Sequence, residues 1–469
     1  LKLGGAVHIK VLFIADYNWP FYNTDISVWS ASKSRMMATA GSSDAVSDQL
    51  SFVSREYLEQ ASEWNGKMTA TARNAWDSGP DEQILQEGVM PDSMPRIHKI
   101  GDKLVMLFLR DAAERDAQNY TQLVYSVFDG NTWSDPKAVW ESDTADCFFD
   151  SRTVGDQLYV AWQKAGEQLD AGTPEEAVEQ AAENSEICFA VWNTQTGEFV
   201  DQQYITDNDK MDVYPSIAAD EENVTVVWAE NDENDVTGEE GTYTIYKKEE
   251  DEQESRAEKI AETSDYIVEM SAGYADGSLE VLTNIVKDGE NTDICRVKDG
   301  ELAVVDSGKN FSGLEFETDS FLWAADGNIR QYIPETETTG SVDTGSYASS
   351  YRYISNGSKT AIVYTEPVVS DDDDSTITGT ALKAVMYENG EWSDTPITIL
   401  ENENDSISFM DAAILENGEF AVIMNVANCG DTGDLERTAL EFAVVQPDKD
   451  LELNYADVDK ADPDAGTQT

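Results

Sequence analysis

The chain has 469 residues, 40% apolar and 10% aromatic, with 93 acidic against 31 basic residues and a net charge of −62. The apolar content is enough for a buried core, so the chain is globular rather than disordered, and the negative field excludes nucleic acid and anionic lipid surfaces as partners. Two histidines and four scattered cysteines exclude an ordinary zinc site, and no apolar run reaches the roughly 18 residues that would predict membrane insertion.

Cys147, Cys188, Cys295 and Cys429 have no paired spacing and read as small buried hydrophobes rather than a disulfide framework. The acidity fits an extracellular or cell-surface protein, and adaptation to high salt gives the same excess.

In chain order, "LKLGGAVHIKVLFIAD" has an apolar run interrupted by His8 and Lys10 and reads as a strand rather than a signal peptide. Residues 17–66 are a long insertion, in which "SDAVSDQLSFVSREYLEQASEWNG" predicts a helix with Leu50, Val53, Tyr57 and Leu58 on one stripe. "MTATARNAWDSGPDEQILQEG" (68–88) has the pattern of two outer strands. Residues 1–90 therefore read as a partial unit that lacks its first strand.

From "MPRIHKIGDKLVMLFLRD" onward a unit repeats: a short strand, a tight turn, a strongly apolar second strand, a loop and a hairpin. Seven units begin near residues 94, 146, 213, 266, 314, 350 and 408. Aligning the second strands places Phe108, Trp162, Trp228 and Tyr364 at one position, which predicts a buried aromatic in each of those units. The pattern predicts an all-β, seven- or eight-bladed β-propeller of four-stranded antiparallel blades, with no helix contributing to its core. Residues 91–456 hold the seven blades, a terminal strand closes the partial unit, and 457–469 form an acidic linker or tail.

The hairpin "SVFDGNTWSDPKAVW" (126–140) is echoed by "MYENGEWSDTPITIL" (386–400), with turns at Asp129-Gly130 and Asn389-Gly390. The Trp after each turn is expected to pack between neighbouring blades. "SVFDGNTW" resembles the Asp box of sialidase-like propellers, with Ser126, Asp129, Gly130, Thr132 and Trp133 supplying its residue types. In this chain Asp129 directly abuts Gly130, and the second copy lacks both Ser and Asp. The resemblance implies the propeller fold and, in sialidases, three arginines that clamp a carboxylate, a Tyr–Glu pair as nucleophile and an Asp as acid/base.

Arg96 and Arg352 occupy one position on two first strands, and Arg152 lies two residues further along a third. Such positions converge on the propeller axis. Arg96, Arg152, Arg352, Tyr351 and Asp411 are the candidate ligand-binding residues, and Tyr214, Glu269 and Asp150 the candidate catalytic ones under the resemblance. The competing reading is that the arginines neutralise channel carboxylates.

First-to-second and third-to-fourth turns are short, whereas the connections at 165–185, 230–241, 367–378 and 427–436 are long and acidic. They share one face with the 17–66 insertion, and added function is expected there. "TPEEAVEQAAEN" predicts a helix capped by Thr173 with Pro174 at its first position. Asp207, Asp209 and Asp212 in "DNDKMD" and Asp371 and Asp373 in "DDDD" are candidate calcium ligands, against the alternative of a solvated acidic surface.

No cofactor is required by the sequence beyond possible calcium. The expected function is a non-enzymatic binding module for a glycan or protein ligand at the long-loop face, as a monomeric domain of a larger bacterial surface or secreted chain. An exo-acting glycoside hydrolase of sialidase-like type and a structural spacer are the alternatives.

Overall fold

The computed structural model describes residues 83–446, apart from 88–92 and short stretches at 113–114, 117, 173, 237–240, 251–255, 289–290, 310, 326, 345–347, 349, 371–372, 389–390, 394, 403–404 and 430–434. The strand expected at 10–16, the helix expected within 17–66, Asp371 and the terminal tail lie outside the described residues.

The described residues form seven antiparallel sheets, each built from strands that follow one another in the chain, except that the last borrows one from the N-terminal side. The innermost strands are Arg96–Ile100, Asp146–Val154, Met211–Ala219, Tyr266–Ala275, Ser312–Glu317, Ser350–Ser355 and Asp405–Ile414, of blades 1 to 7 in that order. Each packs beside the next, and that of blade 7 packs beside that of blade 1, so the ring is closed. The fold is a seven-bladed β-propeller.

Closure is by strand exchange: Gln83–Glu87 pairs antiparallel with Leu435–Val445 and becomes the outermost strand of blade 7. Its Leu85 is buried in an apolar layer with Leu440 and Phe442 of blade 7 and Leu104 of blade 1.

The core is a series of apolar layers between adjacent blades rather than one central mass. This follows from the second strands, which are apolar along nearly their whole length because both of their faces are covered. Phe108, Trp162, Trp228 and Tyr364 are all 2% exposed or less, and Trp323 in blade 5 is equally buried. Blades 4 and 5 approach so closely that a Cβ on Gly273 would lie 1.9 Å from the Phe316 ring, which requires glycine there.

In the hairpin after Thr121–Phe128, Asp129 accepts the main-chain N–H groups of Asn131 and Thr132, each at 2.9 Å, and Gly130 takes φ 96°. Those two bonds hold the exposed Asp129 carboxyl below its ordinary pKa. Trp133 then meets Phe442 of blade 7 edge-on at 5.1 Å, packing between blades. Trp392 packs on Tyr353 and Tyr387 of its own blade and against the apolar layer that joins blades 5 and 6.

Two expectations about the insertions are corrected. The helix Pro174–Glu183 forms, but its Ala177, Ala181 and Ala182 are buried in the same layer as Met211 and Val213, so a helix does contribute to the core. Residues 367–378 and 427–436 are largely not loops: blade 6 extends as a hairpin through Thr360–Ser370 and Asp373–Glu388, and blade 7 through Phe420–Cys429 and Leu435–Val445. The segment carries β-branched residues such as Val368, which favour extended backbone. The Asp373 side chain lies outside the described residues.

Candidate functional site

The channel wall is stitched from blade to blade by polar side chains of the innermost strands. Asp411 of blade 7 accepts the N–H of Ile97 in blade 1 at 2.8 Å. From blade 1, His98 bonds through Nε2 to Ser151 Oγ and through Nδ1 to Thr153 Oγ1 of blade 2, both at 2.8 Å. Asp150 of blade 2 then accepts the Ile217 N–H at 2.8 Å and the Ser216 hydroxyl at 3.1 Å. Ser216 Oγ of blade 3 in turn accepts the Ala272 N–H of blade 4 at 3.0 Å.

The girdle continues through Glu269 of blade 4, which accepts the Gly313 N–H of blade 5 at 2.9 Å and the amide of Asn284 at 3.0 Å. Tyr351 of blade 6 donates its hydroxyl to Gly313 O at 2.7 Å. Arg352 Nε of blade 6 lies 3.6 Å from Asp411 Oδ1 of blade 7, completing the circle.

The candidate residues occupy this girdle. Asp150, Glu269, Tyr351 and Asp411 each bridge two blades, and the Tyr214 N–H donates to Gln163 Oε1 of blade 2 at 3.3 Å. Burial first, and then the Glu315 charge, pushes the Tyr351 hydroxyl well above its ordinary pKa, so it stays protonated.

The three arginines converge on the channel and meet carboxylates of other blades. Arg96 lies 3.3 Å from Glu315 and Arg152 3.0 Å from Glu317, both across the ring in blade 5. Arg352 lies 3.7 Å from Glu315. Burial together with the neighbouring Arg96 charge holds the Arg352 guanidinium below its ordinary pKa, although it remains a cation at any physiological pH.

These pairs floor a cavity of about 550 Å³ lined by Arg96, His98, Arg152, Glu315, Glu317 and Asp411, with the turn residues Gly101, Asp156, Asn356 and Glu416 at its rim. Those turns join first to second strands, so the cavity reaches the short-turn face, opposite to the face where the sequence placed the working surface. Asp150, Tyr214, Glu269 and Tyr351 are not part of its lining.

Glu315 and Glu317 are the main channel groups that sequence reasoning missed. In "LEFETD", which opens the fifth unit near residue 314, the alternating Glu315 and Glu317 are the strand positions that face the axis. Glu317 is enclosed by the ring, and burial pushes its carboxyl up to about 7 despite the opposing pull of Arg152. His98 goes the other way: burial, and then Arg96 and Arg152, hold it down to about 3, so the imidazole is neutral.

A second polar cluster lies on the long-loop face between blades 2 and 3. Glu186 accepts the Thr206 hydroxyl at 2.5 Å and the Asn208 N–H at 2.9 Å, and Asp212 accepts the Asn208 side-chain amide at 3.0 Å. Asp207 and Asp209 flank them in the same connection, acting on Glu186 as neighbouring charges. Among the described residues no three His, Cys, Asp or Glu side chains converge on a point that could hold a metal ion, and no helix is long and apolar enough to cross a membrane.

No protein-family model and no curated protein matches the chain. Solved structures similar to it include a Trypanosoma rangeli sialidase mutant displaying trans-sialidase activity (10% identity, TM-score 0.43, covering 81% of this chain and 57% of that one). A mutant of NanB sialidase from Streptococcus pneumoniae matches at 10% identity and TM-score 0.41, over 79% of this chain and 71% of its own. A Dyadobacter fermentans protein of unknown function matches at 9% identity and TM-score 0.45, over 78% of this chain and 100% of that one. None of these likenesses carries an argument about activity.

Proposed function

We propose that the chain is a non-enzymatic binding module of a bacterial surface or secreted protein that holds a glycan or protein ligand on its long-loop face. The girdle carries this reading. A clamp and a nucleophile must be available to substrate, whereas Arg96, Arg152 and Arg352 face Glu315, Glu317 and Asp411. Asp150, Glu269 and Tyr351 are committed to main-chain groups of neighbouring blades. A ring fixed in this way serves as a rigid mount for the connections above it, the helix Pro174–Glu183 among them.

The exo-glycosidase reading keeps one observation in its favour, the cavity of about 550 Å³ with the Glu317 carboxyl near 7. A chromogenic glycoside screen paired with glycan-array binding, with and without calcium, separates the two. The binding reading expects array signal and no turnover. Hydrolysis abolished by Glu317→Gln would instead establish the enzyme.

A further inference from the structure

We propose that the junction of blades 2 and 3, on the long-loop face, holds a divalent cation of calcium type between the carboxylates of Glu186 and Asp212. The site is independent of which ligand the face takes.

Asp212 is 0% exposed and its Oδ1 has no hydrogen-bond partner. An orphaned carboxylate oxygen in the interior is costly, and the charges that act on it most are Glu186 and Glu230, both negative. Glu186 is itself only 4% exposed. Thr206 stands beside both acids, its hydroxyl donating to Glu186 Oε2 at 2.5 Å and accepting the Ile187 N–H at 2.9 Å.

The local lysine does not resolve this concentration of oxygen. Lys210 donates to the main-chain carbonyl of Asp232. Asn208 ties the two acids together, giving its N–H to Glu186 and its side-chain amide to Asp212. Two carboxylates, buried in a chain of net charge −62 with one oxygen left without a donor, call for a positive partner.

Because only two acidic side chains contribute, the remaining ligands would be main-chain carbonyls and water. Calcium accepts such a mixed oxygen shell without rigid geometry. Magnesium demands a near-ideal octahedron and holds its waters, which a buried junction accommodates poorly. Thiolate or imidazole metals are excluded by the all-oxygen donor set.

The test uses the full chain, stripped with chelator, titrated with calcium chloride and separately with magnesium chloride at equal ionic strength. Wild type should bind calcium calorimetrically at one tight site and melt at higher temperature. Asp212→Asn and Glu186→Gln should each weaken that site by more than about tenfold, the effect that even an outer-sphere partner has on metal affinity. Exposed Glu221, changed to Gln, is the control for the diffuse acidic surface and should leave the site intact.

Both isosteric variants remove like-charge repulsion and should fold without calcium. If either does not, terbium luminescence on wild type keeps the question decidable, since a dedicated site gives a saturable signal displaced by calcium and not by magnesium. Calcium binding unchanged in Asp212→Asn, equal responses to both ions, or no saturable terbium signal would overturn the proposal and leave a protonated carboxyl pair in its place.

Discussion

Asp411, on the innermost strand of blade 7, accepts the main-chain N–H of Ile97 in blade 1 at 2.8 Å, across 314 residues of chain. The same carboxylate faces Arg352 at 3.6 Å, so it is at once a backbone acceptor and a counter-ion. Asp411→Ala leaves a buried N–H and an under-compensated guanidinium, and should cost about 3 to 5 kcal/mol in urea unfolding. Asp411→Asn keeps an acceptor and should cost less. Equal losses for the two would show that the closing hydrogen bond contributes nothing.

Ring closure rests on a second, covalently remote contact. Leu85, 1% exposed, fills the layer between blades 7 and 1 from the borrowed strand Gln83–Glu87. Leu85→Ala should lower stability by about 2 to 5 kcal/mol. Deleting residues 1–87 should bare the edge of Leu435–Val445 and cause concentration-dependent association, as unpaired edges do. A deletion that stays monomeric by light scattering and melts like the intact chain would show that this strand is dispensable.

The blades were legible because their determinants are local: turn dipeptides, apolar second strands and one large aromatic at a fixed register are properties of short segments. The arginines at 96, 152 and 352 were also found, since equivalent strand positions converge by rotation. Their partners were not. Glu315 meets Arg96 across 219 residues and Glu317 meets Arg152 across 165, pairings that no local pattern encodes. Long connections marked one face by length alone, whereas the cavity reaches the opposite face, where short turns ring the channel.

The two buried tryptophans should behave differently on conservative replacement. Trp162 Nε1 donates to buried Asp146 at 3.0 Å, while Trp228 Nε1 has no hydrogen-bond partner and its ring stacks on Tyr246 at 5.6 Å. Truncation to Ala should cost about 3 to 5 kcal/mol at either position. Trp228→Phe should cost less than Trp162→Phe, because only the latter strips a donor from a buried carboxylate, at about 1 to 3 kcal/mol. The reverse order would mean that the indole N–H of Trp162 is not what holds Asp146.

The channel also predicts two opposing pH dependences. Glu317 has a carboxyl raised to about 7, so the folded chain holds its proton more tightly than the unfolded chain. Its contribution is fully present below the ordinary glutamate value and is lost as pH rises through about 7. His98 is depressed to about 3, so the unfolded chain binds the proton more tightly, and its contribution is present above the ordinary histidine value and lost as pH falls toward 3. Between roughly pH 4.5 and 6.5 the two slopes have opposite sign and offset each other. Glu317→Gln should therefore unmask a stability that rises with pH across this window, and His98→Gln one that falls, each read as the difference from wild type so that the diffuse charge of −62 cancels. For Glu317 the difference should approach the order of 2 kcal/mol by pH 8, at about 1.4 kcal/mol per pKa unit and allowing for its partial contact with channel water. Parallel slopes for both variants would mean that Glu317 and His98 do not titrate inside the ring as their burial requires.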